Sequence, residues 1–270
     1  MRRNENVVLA KGELALVTGA SSGIGRELAR EFAAHGHGLV LVARRRARLE
    51  ALKHELERDH AVRVRVVEAD LYDPATPDRL ARLLAREPIG ILVNNAGTLE
   101  GGSFAGMPRA RVLEMLQLNV TALVTLTHAL LPRMLDRGGG RIVNVASIAA
   151  FAPIPWLGVY AATKAFVLSF SEALGEELRD RDITVTAVCP GLTDSEMADA
   201  ALERAPGLRP WRGQLFAPAA EVARAAYSGC VAGEPVVVPG LTNRAYDGLM
   251  QAAPRPLRRF LSRHIGRSLR

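Results

Sequence analysis

Near the start of the chain a short apolar run, a glycine-rich turn and an amphipathic segment follow one another without a break, and that order leaves few folds open. Residues 13–18, Glu-Leu-Ala-Leu-Val-Thr, read as a buried strand. Gly19-Ala-Ser-Ser-Gly23-Ile-Gly25 follows, and residues 26–34 carry apolar side chains at helical spacing. Strand, glycine turn and helix together open a dinucleotide-binding βαβ unit. Glycines let the backbone approach a pyrophosphate, and a helix N-terminus offers free N–H groups at the positive end of its dipole. Gly19, Gly23, Ile24 and Gly25 line that turn, and Ser21 and Ser22 add hydroxyls. The spacing is G-x3-G-x-G rather than the common G-x-G-x-x-G, and an ordinary tight turn would share it.

The alternation continues. Residues 38–43 predict a second strand and 47–59 a helix. Residues 62–68 alternate as a half-exposed strand, and a helix begins near Ala75 behind Pro74. Residues 89–93, 141–146 and 183–188 are further apolar strands. Residues 112–135 form a long, largely buried helix, 219–230 another helix, and 234–239 a last short strand. The predicted fold is α/β, a Rossmann-type doubly wound parallel sheet of about seven strands in a single domain. With 270 residues, 49% of them hydrophobic, the chain can bury such a core. Residues 1–240 are expected to form the dinucleotide-binding catalytic domain. The broken pattern at 192–217 reads as a substrate lid with Met197, Trp211 and Phe216, and 241–270 as a helical extension, basic and amphipathic from residue 255.

The end of the second strand bears on cofactor choice. An acidic residue there would hold the ribose hydroxyls of NAD and repel a 2′-phosphate. Here Ala43 is followed by Arg44-Arg45-Arg46, and a guanidinium fork suits a phosphate. Arg44 is assigned the 2′-phosphate and Arg45 a second contact, with Arg46 and Arg48 read as solvated helix residues. NADP(H) is thus favoured and NAD(H) is the alternative. Asp70, followed by Leu71 at the end of the third strand, would accept from the adenine amino group, or else cap the next helix. Asn94 reads as a tie between strands, while Asn95, Ala96 and Gly97 let a cofactor lie against the backbone.

Chemistry concentrates at residues 147–164. Ser147 stands where a strand stops, and Tyr160 and Lys164 share a helix face four residues apart. An ammonium beside a phenol favours phenolate, so Tyr160 is expected below its ordinary pKa of about 10 and able to exchange a proton with an alcohol oxygen near neutrality. Ser147 would hold that oxygen. Asn119, poorly suited to a helix interior, either satisfies a core neighbour or marks a kink that holds a relay water. Pro190, Gly191 and Thr193 follow the sixth strand, at the sheet edge where open α/β folds bind ligands. Cys189 reads as a small buried residue. No metal ligands are assigned.

Two cysteines exclude a disulfide framework and favour a reducing compartment, hence a cytoplasmic location. Residues 7–10 are too short for a signal-peptide core, and no apolar run reads as a membrane span. The net charge is +7, but residues 255–270 hold six arginines and no acid, so nucleic-acid binding by the domain is not indicated. Leu257, Phe260, Leu261, Ile265 and Leu269 form an apolar stripe among those arginines. It would dock on the domain, pack in an oligomer, or rest on an acidic membrane as a peripheral contact.

Taken together, Thr18-Gly-Ala-Ser-Ser-Gly-Ile-Gly25, Asn94-Asn-Ala-Gly97, Asn119, Ser147, Tyr160-x3-Lys164 and Pro190-Gly191 resemble the short-chain dehydrogenase/reductase family, in its order and with its gaps, from about residue 12 to 240. Residues 41–45, Leu-Val-Ala-Arg-Arg, are similar to NADP-dependent members. The family often has Thr where this chain has Ser195, whose hydroxyl would still reach the carboxamide. The resemblance implies carbonyl reduction with Tyr160 as general acid and Ser147 orienting the carbonyl oxygen. It also implies that Lys164 tunes the tyrosine and holds the nicotinamide ribose, that Asn119 carries a water, and that the pro-S hydride is transferred. It further implies a small-molecule carbonyl or alcohol substrate, apolar on the evidence of Trp156 and the lid, and a homo-oligomer packed through the helices of Asn119 and Tyr160. An NAD-dependent alcohol dehydrogenase and a nucleotide-binding sensor without turnover are the alternatives.

Overall fold

The computed structural model describes residues 13–204 and 212–267. Trp211, Pro206, Gly207 and Pro210 of the expected lid, Leu269 of the tail, and residues 1–12 lie outside them, and the side chain of Ile265 is likewise not described.

Seven parallel strands form one sheet in the order β3-β2-β1-β4-β5-β6-β9. They are β1 (Leu14–Thr18), β2 (Gly38–Ala43), β3 (Val64–Glu68), β4 (Ile89–Asn94), β5 (Gly140–Val145), β6 (Ile183–Val188) and β9 (Val236–Val237). β1, β2, β4, β5 and β6 are buried along nearly their whole length, as parallel strands covered on both faces are. Beyond a register shift between Leu14 and Ala15 in the β1–β4 pair, Val17 lies opposite Leu41 on one side and Val93 on the other, and Val93 opposite Val143. The doubly wound fold expected from the alternation is therefore the one observed.

Helices α1 (Gly23–Ala34), α2 (Arg46–His60) and α9 (Ala219–Ala232) cover one face around Phe32, Leu28 and Leu41. The other face is covered by α3 (Thr76–Leu83), α5 (Ala122–Asp136) and α6 (Gly158–Glu177), packed around Leu16, Leu92 and Leu126. Strand order reverses between β1 and β4, which places the Gly-rich turn after β1 beside the Asn95-Ala96-Gly97 turn after β4.

The long helix expected at 112–135 is interrupted. α4 (Arg109–Leu116) passes through a π turn, Gln117–Thr121, into α5, and Asn119 sits in that turn. By length and composition Arg109–Asp136 as one run could cross a membrane, which corrects the expectation that no run is long enough. Its Leu118, Leu126, Leu130 and Met134 are nonetheless buried against the sheet, as in a core helix.

Residues after β6 form a small layer over the strand ends. β7 (Thr193–Asp194) pairs with β8 (Ala217–Pro218) and so closes the base of the expected lid, which carries α7 (Glu196–Arg204) and α8 (Arg212–Leu215). Arg212 ties the two sides by bonding Asp194 and Asp199. α10 (Leu241–Ala252) packs against the short turn Ile148–Phe151, and Asn243 donates to the Pro239 carbonyl at 2.7 Å. α11 (Arg255–Arg267) ends the described chain. Leu257 and Phe260 on it are 43% and 55% exposed, while Leu261 is half-buried and Ser262 buried.

Candidate active site

Thr18 organises the point where β1 meets β4. Its hydroxyl donates to the Val93 carbonyl at 3.2 Å and accepts from the N–H groups of Asn95 and Ala96 at 2.9 and 3.0 Å. The Asn95 amide donates to the Thr18 carbonyl at 2.8 Å. These bonds press the two turns together so closely that a Cβ on Gly25 would lie 2.3 Å from Asn95 Nδ2 and 2.5 Å from the Gly19 carbonyl oxygen. Gly19 also has φ +67°, a left-handed conformation suited to glycine. Ser22 at the N-cap makes no side-chain capping bond, so its hydroxyl is not engaged with the first N–H groups of α1. A small-residue cradle at a helix N-terminus fits a pyrophosphate.

Ser147 follows β5 in extended conformation and accepts from the Ala149 N–H at 3.1 Å, which starts the turn toward α6. α6 brings Tyr160 and Lys164 back beneath that strand end. The Ser147 hydroxyl meets the Tyr160 phenol, and this contact opposes part of the effect of burial on the tyrosine. Gly97 joins the group from the other side, since a Cβ there would stand 3.3 Å from Asn119 Oδ1 and 3.6 Å from Lys164 Nζ. The four expected catalytic side chains are thus within one buried cluster, with Asn119 2%, Lys164 6%, Tyr160 8% and Ser147 9% exposed.

The electrostatics differ from expectation. Tyr160 is raised rather than lowered, because burial disfavours the phenolate and the Ser147 contact offsets this only in part. Lys164 is pushed down to about 8 by burial. Its ammonium donates to the Val145 carbonyl at 2.8 Å and lies 5.8 Å from the centre of the tyrosine ring. Cys189 is buried and pushed up to about 12, consistent with a packing residue.

Asn119 spends its amide on structure. Oδ1 accepts from the Thr98 N–H at 2.8 Å, while Nδ2 donates to the Thr98 carbonyl at 2.9 Å and to Thr163 Oγ1 at 3.1 Å. Of the two sequence readings, the satisfied core residue and the kink, both features are present, but the side chain itself anchors the loop after β4. Thr163 and Thr98 were not singled out from the sequence, and no local pattern marks them. Asn94 ties strands as expected, donating to Thr127 Oγ1 and Asn144 Oδ1.

At the adenosine end the placement is more mixed. Asp70 accepts from the Tyr72 N–H at 3.1 Å, and Asp73 instead turns the chain toward α3 by accepting from the Ala75 N–H at 2.9 Å. Leu71 is buried beside it. Arg44 lies over the Tyr72 ring, 5.0 Å from its centre, and with Arg46, Arg65, Glu68 and Asp70 lines an open groove at the strand ends. Arg45, rather than Arg44, reaches the Gly-rich turn and donates to Ser21 Oγ and Ser22 Oγ. Pro190 and Gly191 follow β6, and Thr193 Oγ1 donates to the Gly191 carbonyl at 3.1 Å. Ser195 accepts from the Ala198 N–H at 3.3 Å, capping α7 close to Gly23.

With this geometry in view, residues 13–205 match the family model described as short chain dehydrogenase. The chain is 42% identical over 192 residues to a sulfoacetaldehyde reductase of Chromohalobacter salexigens, covering 68% of this chain and 74% of that one. It is 38% identical over 179 residues to a very-long-chain 3-oxoacyl-CoA reductase of Laccaria bicolor, covering 65% of this chain but only 53% of that longer relative. Among solved structures, a short-chain dehydrogenase from Sphingobium yanoikuyae in complex with NADPH superposes with a TM-score of 0.78 at 37% identity, over 90% of this chain and 96% of the other. The strand-end cradle, the clustered Asn-Ser-Tyr-Lys set and these similarities agree, and the chain belongs to the short-chain dehydrogenase family.

Proposed function

We propose that this protein is an NADP(H)-dependent oxidoreductase that reduces an apolar ketone or aldehyde to an alcohol, with Tyr160 as general acid. The observation that carries this reading is the burial of Asn119, Ser147, Tyr160 and Lys164 together around the end of β5 and the Gly97 turn. NADPH, when bound along the cradle from Gly19 to Gly25 and the Asn95–Gly97 turn, supplies a hydride to the carbonyl carbon. The Ser147 hydroxyl donates a hydrogen bond to the carbonyl oxygen and fixes it near the phenol. Tyr160 gives its proton to that oxygen as the alcohol forms. Lys164, while charged, lowers the cost of the resulting phenolate. Asn119 holds the Thr98 loop in place, and its π turn is the proposed site of a water through which the proton is restored. Exposed Trp156, Leu192 and Met197 around the strand ends supply an apolar mouth, and the segment between β7 and β8 is the lid over it.

The absence of an acid at Ala43 and the arginines after it favour NADP(H). NAD(H) is the second reading, favoured by the pairing of Arg44 with Tyr72 and of Arg45 with other side chains. Titrating NADPH against NADH and following nicotinamide fluorescence separates the two. Stronger NADPH binding, followed by NADPH-dependent turnover in a carbonyl screen, is the expected result. Equal or better NADH binding redirects the search to alcohol oxidation. Tight NADPH binding with no turnover on any carbonyl would indicate a sensor.

Assembly as a homo-oligomer is proposed through the α4–α5 and α6 layer, where Leu113, Leu116 and Phe166 are exposed. Peripheral membrane contact through 255–270 is proposed from the exposed Leu257 and Phe260 beside Arg259 and Arg263, and cytoplasmic placement from the free Cys189 and Cys230.

A further inference from the structure

The lid begins with Glu196, and its carboxylate bridges two arginines of the corner between β2 and α2. Oε2 accepts from Arg45 Nη1 at 2.6 Å, and Oε1 accepts from Arg48 Nη1. The same Arg45 guanidinium donates to Ser21 Oγ through Nε at 3.1 Å and Nη2 at 2.9 Å, and to Ser22 Oγ through Nη2 at 2.7 Å. One guanidinium therefore joins the Gly-rich turn, the end of β2 and the lid. A carboxylate with one oxygen on each of two guanidinium groups occupies them as a phosphate dianion would. Bonds from Arg45 and then Arg48 hold Glu196 below the ordinary carboxylate range, so it is ionised at neutral pH.

Resting on the NADP(H) reading, we propose that Glu196 is a specificity-determining residue. It competes with the cofactor's 2′-phosphate for Arg45 and Arg48, so that phosphate and carboxylate exchange on the same pair and the start of α7 is released from the β2–α2 corner. A cofactor without that phosphate leaves the bridge in place. The exchange does not strand the displaced charge, because Glu196 lies in the first turn of α7, where the helix dipole favours an anion.

The test is calorimetric binding of 2′,5′-ADP, which carries the 2′-phosphate, and of 5′-AMP, which lacks only that group, to the full chain and to Glu196→Gln. The variant is expected to bind 2′,5′-ADP roughly three- to tenfold more tightly, because two exposed ion pairs no longer compete, and 5′-AMP within about twofold of the wild type. Glu196→Asp keeps the charge and is expected to stay nearer the wild type. An equal shift for both ligands, weaker 2′,5′-ADP binding, or an Asp variant indistinguishable from Gln overturns the proposal. If the wild type prefers 2′,5′-ADP and Glu196→Gln leaves that preference unchanged, only the competition fails. If neither protein distinguishes the two ligands, there is no 2′-phosphate site and the NADP(H) reading fails with it.

Discussion

The two ends of the proposed cofactor site are built in opposite ways. At the chemical end, Asn119, Ser147, Tyr160 and Lys164 are buried; Asn119 is bonded to the loop after β4, Lys164 to the end of β5 and Ser147 to the Ala149 N–H. At the arginine end, Arg44, Arg45, Arg46 and Arg48 are exposed, and each side chain is engaged with a group that a ligand could displace. Buried polar groups cannot move without leaving partners unsatisfied, so the first region has one geometry. Long exposed guanidinium groups change partners at little cost, so the second region can be retuned by single substitutions. Reaction chemistry should therefore resist change where cofactor preference does not.

The sharpest way to break that contrast is Tyr160→Phe. With the proton donor removed and the ring retained, turnover with NADPH and a carbonyl substrate is expected to fall by roughly a hundred- to ten-thousandfold. NADPH affinity by fluorescence should change little. Retained turnover would remove Tyr160 from the mechanism.

Lys164→Met comes next, because it tests whether burial and chemistry share one residue. Lys164 titrates near 8 in the fold against an ordinary 10.5. Below that lower value it is charged in both states, and the folded state bears the burial cost. Between the two values the unfolded chain still binds the proton that the folded one has lost, so this group's contribution to stability rises with pH. Urea midpoints from pH 7 to 11 should show wild-type stability gaining on Lys164→Met by a difference on the order of 3 kcal/mol. Reduction by the free enzyme should decline above pH 8 as the charge beside Tyr160 is lost. A flat difference in stability across this range would mean that the lysine is solvated.

Arg44→Asp probes the tunable end. The ratio of NADPH to NADH affinity is expected to fall roughly ten- to a hundredfold, as a charge-assisted contact is replaced by repulsion, with kcat for the preferred cofactor nearly unchanged. A matching loss in kcat would show that the two ends are not independent. The smallest effect is expected from Leu257→Ser combined with Phe260→Ser. Turnover of a soluble substrate should stay within about twofold, since surface changes usually cost little. Flotation with acidic liposomes should fall, and if wild type and variant both remain unbound, the membrane contact is wrong.

The alternation of apolar runs with helical patterns was enough to name the parallel sheet and its helices, because strands buried on both faces are rich in apolar residues. The Gly-rich turn and the Ser147, Tyr160 and Lys164 spacing were legible for a similar reason: each depends on residue type within a few positions of its neighbours. What stayed hidden depends on approach across the fold. Thr98 and Thr163 became partners of Asn119 only when the π turn and α6 met, and the tyrosine's pKa rose because burial outweighed the hydrogen bond from Ser147. Arg45 was read as secondary to Arg44, yet it is the one facing Ser21, Ser22 and a glutamate distant in the chain. Residue identity can set which groups are able to pair, but among adjacent arginines of equal chemistry only the path of the backbone and the packing of the lid select the one that does.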